Sequence, residues 1–364
     1  MSLVGIEAAL GLAGPDAERF PLPGALVAIG PASTVVVAEP EDDPEAGGVW
    51  NAEEFRLLGP APASITARLM GPDPFGVPNA PPEPPVHLFV RLGDDCLGIG
   101  AGQVSMCDTS DGELLSCHLR ISPPLSRAVL DTVRPPTPPP PLAAPDWVDD
   151  VQRDPGGALE RFASNWYPAT AAPEPSADPP SSLPRALADF HRLAAHRPAL
   201  LGSQNRLLPV GGLRPDESGA RLVFGIESQG GWTWSIPWNP GSRDADPVVW
   251  CEDAGLVPEE EPLSSFLLQF TLEEATLAAP YQALCTNLPT RLLPALESGL
   301  RRVPLRPFLA PAGAPTTFLV AAGLVARTGP GWEEGSTEVH LGARHRSALR
   351  PFAPLDIAWQ RFDG

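Results

Sequence analysis

Residues 221–238 read RLVFGIESQGGWTWSIPW. In the second half Trp232, Trp234, Ile236 and Trp238 recur at every second position, with Thr233, Ser235 and Pro237 between them. In a strand that period puts the four large apolar side chains on one face. The first half, Arg221–Glu227, is also β-compatible. Between the halves SQGG supplies hairpin turn chemistry, because Gly230 and Gly231 adopt positive φ without a Cβ penalty. The stretch is therefore predicted to be a β-hairpin. A buried aromatic removes roughly 150–250 Å² from water, about 4–6 kcal/mol before entropy costs. Core is the expected fate of the tryptophan face, with Trp238, at the strand end, nearest the surface.

Upstream, SSLPRALADFHRLAAHRP (residues 181–198) predicts a helix capped by Ser182. Pro184 is tolerated in its first turn, Leu183, Leu187, Phe190 and Ala194 form one stripe, and Pro198 follows its end. Its two histidines, His191 and His196, fit an amphipathic pattern and need no catalytic role. Downstream come a strand in PVVWCE (residues 247–252) and a helix in EPLSSFLLQFTLEEATLAAP (residues 261–280), with Leu263, Leu267, Phe270 and Leu277 on one side.

This order of elements, with Glu227 and Gln229 around the turn and the tryptophans after it, resembles the SUKH superfamily. That is the Smi/Knr-like group, which contains a fungal cell-wall synthesis regulator and many bacterial immunity proteins. The resemblance is clearest over Trp147–Ala283, within a domain spanning residues 146–364. It implies an α+β fold with an antiparallel sheet flanked by helices, and binding rather than catalysis. Its bacterial members neutralise polymorphic toxins by direct contact, and others act as scaffolds. An immunity protein is thus the first expectation, a cytoplasmic scaffold or regulator the second, and an enzyme of unrecognised type the third. The long Pro-rich insertion after Tyr167 departs from the family pattern.

Residues 1–133 match no family and predict a mostly-β domain. VHLFVRLG from Val86, CLGIGAGQVSMC from Cys96 and ELLSCHLRIS from Glu113 suggest an antiparallel meander, followed by a short helix over Pro124–Val133. RPPTPPPPLAAP (residues 134–145) predicts a semi-rigid polyproline spacer, which is also a conceivable docking ligand. EPEDDPEAGG (residues 39–48) and PATAAPEPSADPPSS (residues 168–182) predict exposed loops.

The 364 residues contain 49 Pro and 34 Gly but no lysine, so all 25 cationic side chains are arginine. P-loop, Schiff-base and kinase-type lysine chemistry is thereby excluded. With 44 acidic residues the formal charge is −19, and both halves are acidic. Such a surface repels nucleic acid and anionic membranes and suits a basic protein partner, such as a nuclease-type toxin domain. The N-terminal stretch lacks a positive n-region, no apolar run approaches a bilayer span, and the five cysteines form no C-x-x-C pair, which predicts a cytoplasmic protein with reduced thiols.

Glu227, Gln229, Trp238, Asp244 and Asp246 are the candidate partner-binding residues. Catalytic, cofactor-binding and metal-ligating residues are not expected. Cys96, Cys107, Cys117 and His118 carry zinc chemistry, but their spacing is wrong for a structural site. GIGAGQ (residues 98–103) is followed by a strand-like run rather than a helix, so a bulged strand is expected there instead of a phosphate cradle. The acidic runs Glu41–Asp43 and Glu259–Glu261 are expected to be solvated loops.

Overall fold

The structure, a computed structural model, describes residues 3–40, 49–70, 85–110, 113–135, 138–170, 179–239, 245–253, 255–309 and 314–364. The candidate residue Asp244, the acids of Glu41–Asp43 and most of the two predicted loops lie outside these residues. The chain divides into two compact units, Met1–Pro138 and Pro139–Phe362. Both mix helix and sheet, so the α+β class holds.

In the first unit β1 (Leu3–Gly5), α1 (Ile6–Leu10), β2 (Glu18–Leu22), β3 (Ala25–Ile29), β4 (Thr34–Ala38), β5 (Glu54–Ala61), α2 (Ala63–Met70), β6 (Val86–Leu92), β7 (Asp95–Ser110), β8 (Glu113–Ser122) and α3 (Arg127–Val133) follow in order. Their sheet runs β2-β3-β4-β6-β7-β8-β5, with β1 on β7. The predicted antiparallel meander is β6-β7-β8. The sheet as a whole is mixed, however, because β4 lies parallel to β6. β4 reads TVVVA and is buried at all five positions. Val36 and Ala38 enter one core cluster, and Val35 and Val37 enter another together with Ala9 and Leu10 of α1. A strand covered on both faces reads as a continuous apolar run. Ile99 is the extra residue of a bulge, since Leu88 pairs with Gly100 and Phe89 with Gly98, and GIGAGQ is thus a bulged strand.

The second unit opens with α4 (Pro155–Trp166) and α5 (Arg185–His196), whose N-cap is Pro184 without a side-chain cap, not Ser182. β9 (Asn205–Leu207), β10 (Arg214–Pro215), β11 (Arg221–Glu227), β12 (Thr233–Pro237), β13 (Val248–Glu252) and β14 (Leu256–Pro262) form an antiparallel sheet in the order β10-β11-β12-β13-β14, with β9 on β11. After α6 (Leu263–Leu277) comes a further antiparallel sheet of β15 (Tyr281–Pro289), β16 (Arg301–Arg302), β17 (Thr317–Ala321), β18 (Leu324–Pro330), β19 (Ser336–Ala343) and β20 (Arg361–Phe362), ordered β16-β17-β18-β19-β15-β20, with α7 (Leu293–Glu297) after β15.

α6 packs on both sheets and on α4 and α5. The sequence pattern predicts one apolar stripe, but Leu263 and every residue of Ser265–Thr276 are buried. Three of its polar side chains bond to carbonyls: Thr271 and Thr276 donate to those of Leu267 and Leu272, and Gln269 donates to that of Arg306. Gly342 lets β19 approach the helix, since a Cβ there would meet the Thr276 backbone at 2.7 Å.

The second half of the proline run is not a free spacer. Leu142 sits over Gly323, where an added Cβ would meet it at 2.7 Å, and Gly323 has φ +64, so only glycine suits this position. Arg301 Nη1 donates to the Pro145 carbonyl at 3.2 Å. A groove of about 240 Å³ remains among Leu142, Trp147, Phe162, Trp166 and Arg344.

Candidate partner-binding surface

β11 and β12 form the predicted hairpin, with Leu222 opposite Ile236 and Gly225 opposite Trp234. Of the two turn glycines only Gly230 takes positive φ, at +78°. Trp234 and Ile236 are fully buried, while Trp232 and Trp238 lie half-buried against the same core. Trp234 packs edge-on to Trp232 and Phe270, at 6.1 Å each, and tilted against Phe266 at 6.0 Å. The tryptophan face is core.

Glu227 is buried, and its carboxylate organises the turn. It accepts from the backbone N–H of Gln229 (2.8 Å) and Gly231 (3.1 Å) and from Gln204 Nε2 (3.0 Å). Next to it, Glu274 of α6 holds the strip Ser203–Asn205. Its Oε2 accepts from the N–H of Ser203 (2.7 Å) and Gln204 (3.1 Å), and its Oε1 from the N–H (3.0 Å) and Nδ2 (2.9 Å) of Asn205. Glu227 thus fastens the turn and Glu274 fastens the strip to α6, with Gln204 bonded to both.

The other candidates separate. Gln229 is exposed at the turn, whereas Trp238 follows the far end of β12, about 20 Å away at roughly 3.3 Å per residue. Asp246 is exposed but employed: it accepts from Ser264 N–H (2.8 Å) and Ser264 Oγ (2.6 Å), capping the first turn of α6 from 18 residues upstream. Glu227, Gln229, Trp238 and Asp246 thus do not form one patch. Sequence alone gave no warning that Glu227 and Asp246 serve the fold, because each takes donors brought in by tertiary packing.

Glu259–Glu261 is not a solvated loop. It lies in β14, where Glu259 and Glu261 are buried and Glu260 is exposed, the alternation of a strand. Glu261 accepts from Arg306 N–H (2.7 Å), and Glu259 accepts from Leu309 N–H (3.2 Å) and Trp234 Nε1 (3.4 Å). In the first unit Cys107 and Cys117 sit opposite each other with sulfurs 3.3 Å apart, and burial pushes the Cys117 thiol up. His118 turns instead to Glu54 at 2.9 Å. Among the described residues no three His, Cys, Asp or Glu side chains gather as a metal site.

One ionic group, with Glu273 buried and Arg327 and Glu338 half-buried, joins α6 to the last sheet. Arg327 Nε lies 3.4 Å from Glu273, and its Nη2 lies 3.7 Å from Glu338. Beside them His340 Nε2 and Arg361 Nη1 share Gln282 Oε1, at 3.3 and 2.9 Å. Burial raises the Glu273 pKa to about 7 despite Arg327. Burial, then Arg327 and Arg361, lowers that of His340 to about 3. On α5, burial lowers His191 to about 4.

These shifts predict the pH dependence of stability. Both imidazoles stay neutral in the fold while the unfolded chain protonates near pH 6.5, so stability present above that pH is lost as pH falls toward 4 and then 3. Glu273 acts in the opposite sense. The fold keeps its proton up to about pH 7, so stability declines as pH rises from about 4.5 to 7. Urea midpoints measured from pH 4 to 8 should therefore rise toward neutrality, the two histidines outweighing one carboxyl. His191→Leu should reduce that rise by about 3 kcal/mol at pH 4, at ~1.4 kcal/mol per pKa unit. An unchanged slope in the variant would remove His191 from this account.

The residue that sequence reading overlooked is Trp332. It stands in GWEEGS between β18 and β19 and is 80% exposed. A lone tryptophan between two glycines, with acids after it and β-compatible runs on both sides, was the available signal. Comparison with protein-family models, curated proteins and solved structures gives no match to this chain. No helix among the described residues is long and apolar enough to cross a membrane.

Proposed function

We propose that the chain is a non-catalytic protein-binding module, and that it neutralises a basic toxin domain by direct contact in the manner of SUKH immunity proteins. The observation that carries this reading is the distribution of charge. In the second unit the buried carboxylates Glu227, Glu259, Glu261 and Glu274 take hydrogen bonds from the chain's own N–H groups, so their roles are structural. The whole chain nevertheless keeps a formal charge of −19. An excess of that size speeds encounter with a basic partner and disfavours nucleic acid and anionic membranes. The order of helix, hairpin, strand and buried helix over Trp147–Ala283 supports the SUKH part of the proposal.

The test uses the full chain immobilised in extract of its own source cells. A basic protein should be retained at low salt, with an association rate that falls about tenfold or more as ionic strength rises from roughly 0.03 to 0.3 M. Expressed alone, that protein should arrest growth, and co-expression of this chain should restore it. A retained partner without toxicity would favour the scaffold reading. Retention of no basic protein, or an association rate indifferent to salt, would overturn both.

A further inference from the structure

We infer that the β18–β19 turn, Gly331–Gly335, is the anchor by which the second unit grips an arginine- or lysine-bearing segment of its protein partner, with Trp332 as the central contact. This rests on the protein-binding reading above and places its contact on the last sheet, away from the hairpin of β11 and β12.

Trp332 is 80% exposed, whereas the other eight tryptophans are buried or half-buried. Isolated apolar groups on a surface are ordinary. What distinguishes this one is the rigidity of its mount. Trp332 N–H donates to the Thr286 carbonyl (3.3 Å), Glu333 N–H to Asn287 Oδ1 (2.8 Å), and Gly331 and Ser336 N–H to the carbonyls of Ser336 and Glu333 (3.0 Å each). The single Ser336 hydroxyl proton faces both the Glu333 carbonyl (2.6 Å) and Asn287 Oδ1 (3.2 Å), and Thr290 Oγ1 donates to the Gly335 carbonyl (2.7 Å). At Gly331 an added Cβ would meet Ser336 Oγ at 2.1 Å and the Thr286 carbonyl at 2.8 Å, so the turn is closely packed on β15. A turn backbone held in place before binding loses little further entropy when a partner covers it, and tryptophan is among the residues most often found at the energetic centre of interfaces.

The neighbours of Trp332 select the occupant. Glu333 and Glu334 are exposed beside it, and exposed Arg291, next to Thr290, offsets one of these charges and leaves the tip negative. A guanidinium or ammonium lying over the indole face gains cation–π attraction, while the carboxylates pair with its N–H groups. An acidic or wholly apolar partner would instead desolvate both carboxylates without compensation.

The experiment titrates the full chain into fluorescein-labelled octaarginine at low ionic strength, read by anisotropy, with octaglutamate as control. Octaarginine should bind and octaglutamate should not. Trp332→Ala should weaken binding about three- to tenfold, Trp332→Leu should weaken it equally, and Trp332→Phe should recover part of the loss. Glu333→Gln combined with Glu334→Gln should weaken binding and flatten its salt dependence. The melting temperature of each variant should match the wild type, since these side chains are exposed. Equal octaarginine affinity in wild type and Trp332→Ala, or no binding by the wild type, overturns this anchor, whatever the extract experiment finds. Failure of that extract experiment overturns the protein-binding reading itself.

Discussion

Glu274→Ala should destabilise the second unit by about 3–5 kcal/mol, measured by urea unfolding followed through tryptophan fluorescence. The carboxylate accepts four hydrogen bonds, from the N–H groups of Ser203, Gln204 and Asn205 and from Asn205 Nδ2. Glu274 and Asn205 are buried, so truncation leaves the Asn205 N–H and Nδ2 without water to replace the lost acceptor, whereas Ser203 and Gln204 are exposed. Gly202, at φ +84 and packed where a Cβ would meet the Asn205 carbonyl at 2.0 Å, commits the chain to this path before the strip begins. The strip in turn carries Gln204, which bonds Glu227, so loosening it also loosens the β11–β12 turn. Glu274→Gln keeps the shape and one acceptor oxygen and should cost about half as much. A loss below about 1 kcal/mol for Glu274→Ala would mean that water enters and satisfies the strip, and the carboxylate would not be the fastening described here.

What was legible in the sequence was local. Period-two spacing at Trp232, Trp234, Ile236 and Trp238 and the turn glycines identify the hairpin and its core face. The stripe of Leu187, Phe190 and Ala194 identifies α5, and the runs from Val86 to Ser122 identify a meander. Pairing at a distance was not legible. The parallel contact of β4 with β6 spans residues 34–90 and follows from no local pattern. The all-round burial of α6 was masked by Gln269, Thr271, Glu273, Glu274 and Thr276, which look like a solvent face until their partners arrive from other elements. The same cause hid the bonding of the acids. Glu227, Asp246, Glu259 and Glu261 look like surface acids, yet each accepts hydrogen bonds within the fold. Trp332 went unnoticed because one aromatic in a turn breaks no pattern.

Trp234→Ala should cost about 3–5 kcal/mol and lower the melting temperature of the second unit by about 10 °C, at roughly 2–4 °C per kcal/mol for a unit of this size. The indole is 1% exposed and sits where β12 faces α6, in contact with the rings of Trp232, Phe266 and Phe270. Close packing from both sides prevents the cavity from collapsing, which places the cost in the upper part of the range for core truncations. Its Nε1 also lies 3.4 Å from buried Glu259, so the variant removes a donor from a carboxylate that ties β14 to Leu309. Trp232→Ala and Trp238→Ala remove half-buried side chains from the same cluster and should cost less, about 1–3 kcal/mol. Trp332→Ala, by contrast, should leave the melting temperature unchanged. This ordering separates core from contact without knowledge of any partner. If Trp234→Ala melted with the wild type, the period-two face would not be the core of this unit, and the assignment of the hairpin would fail with it.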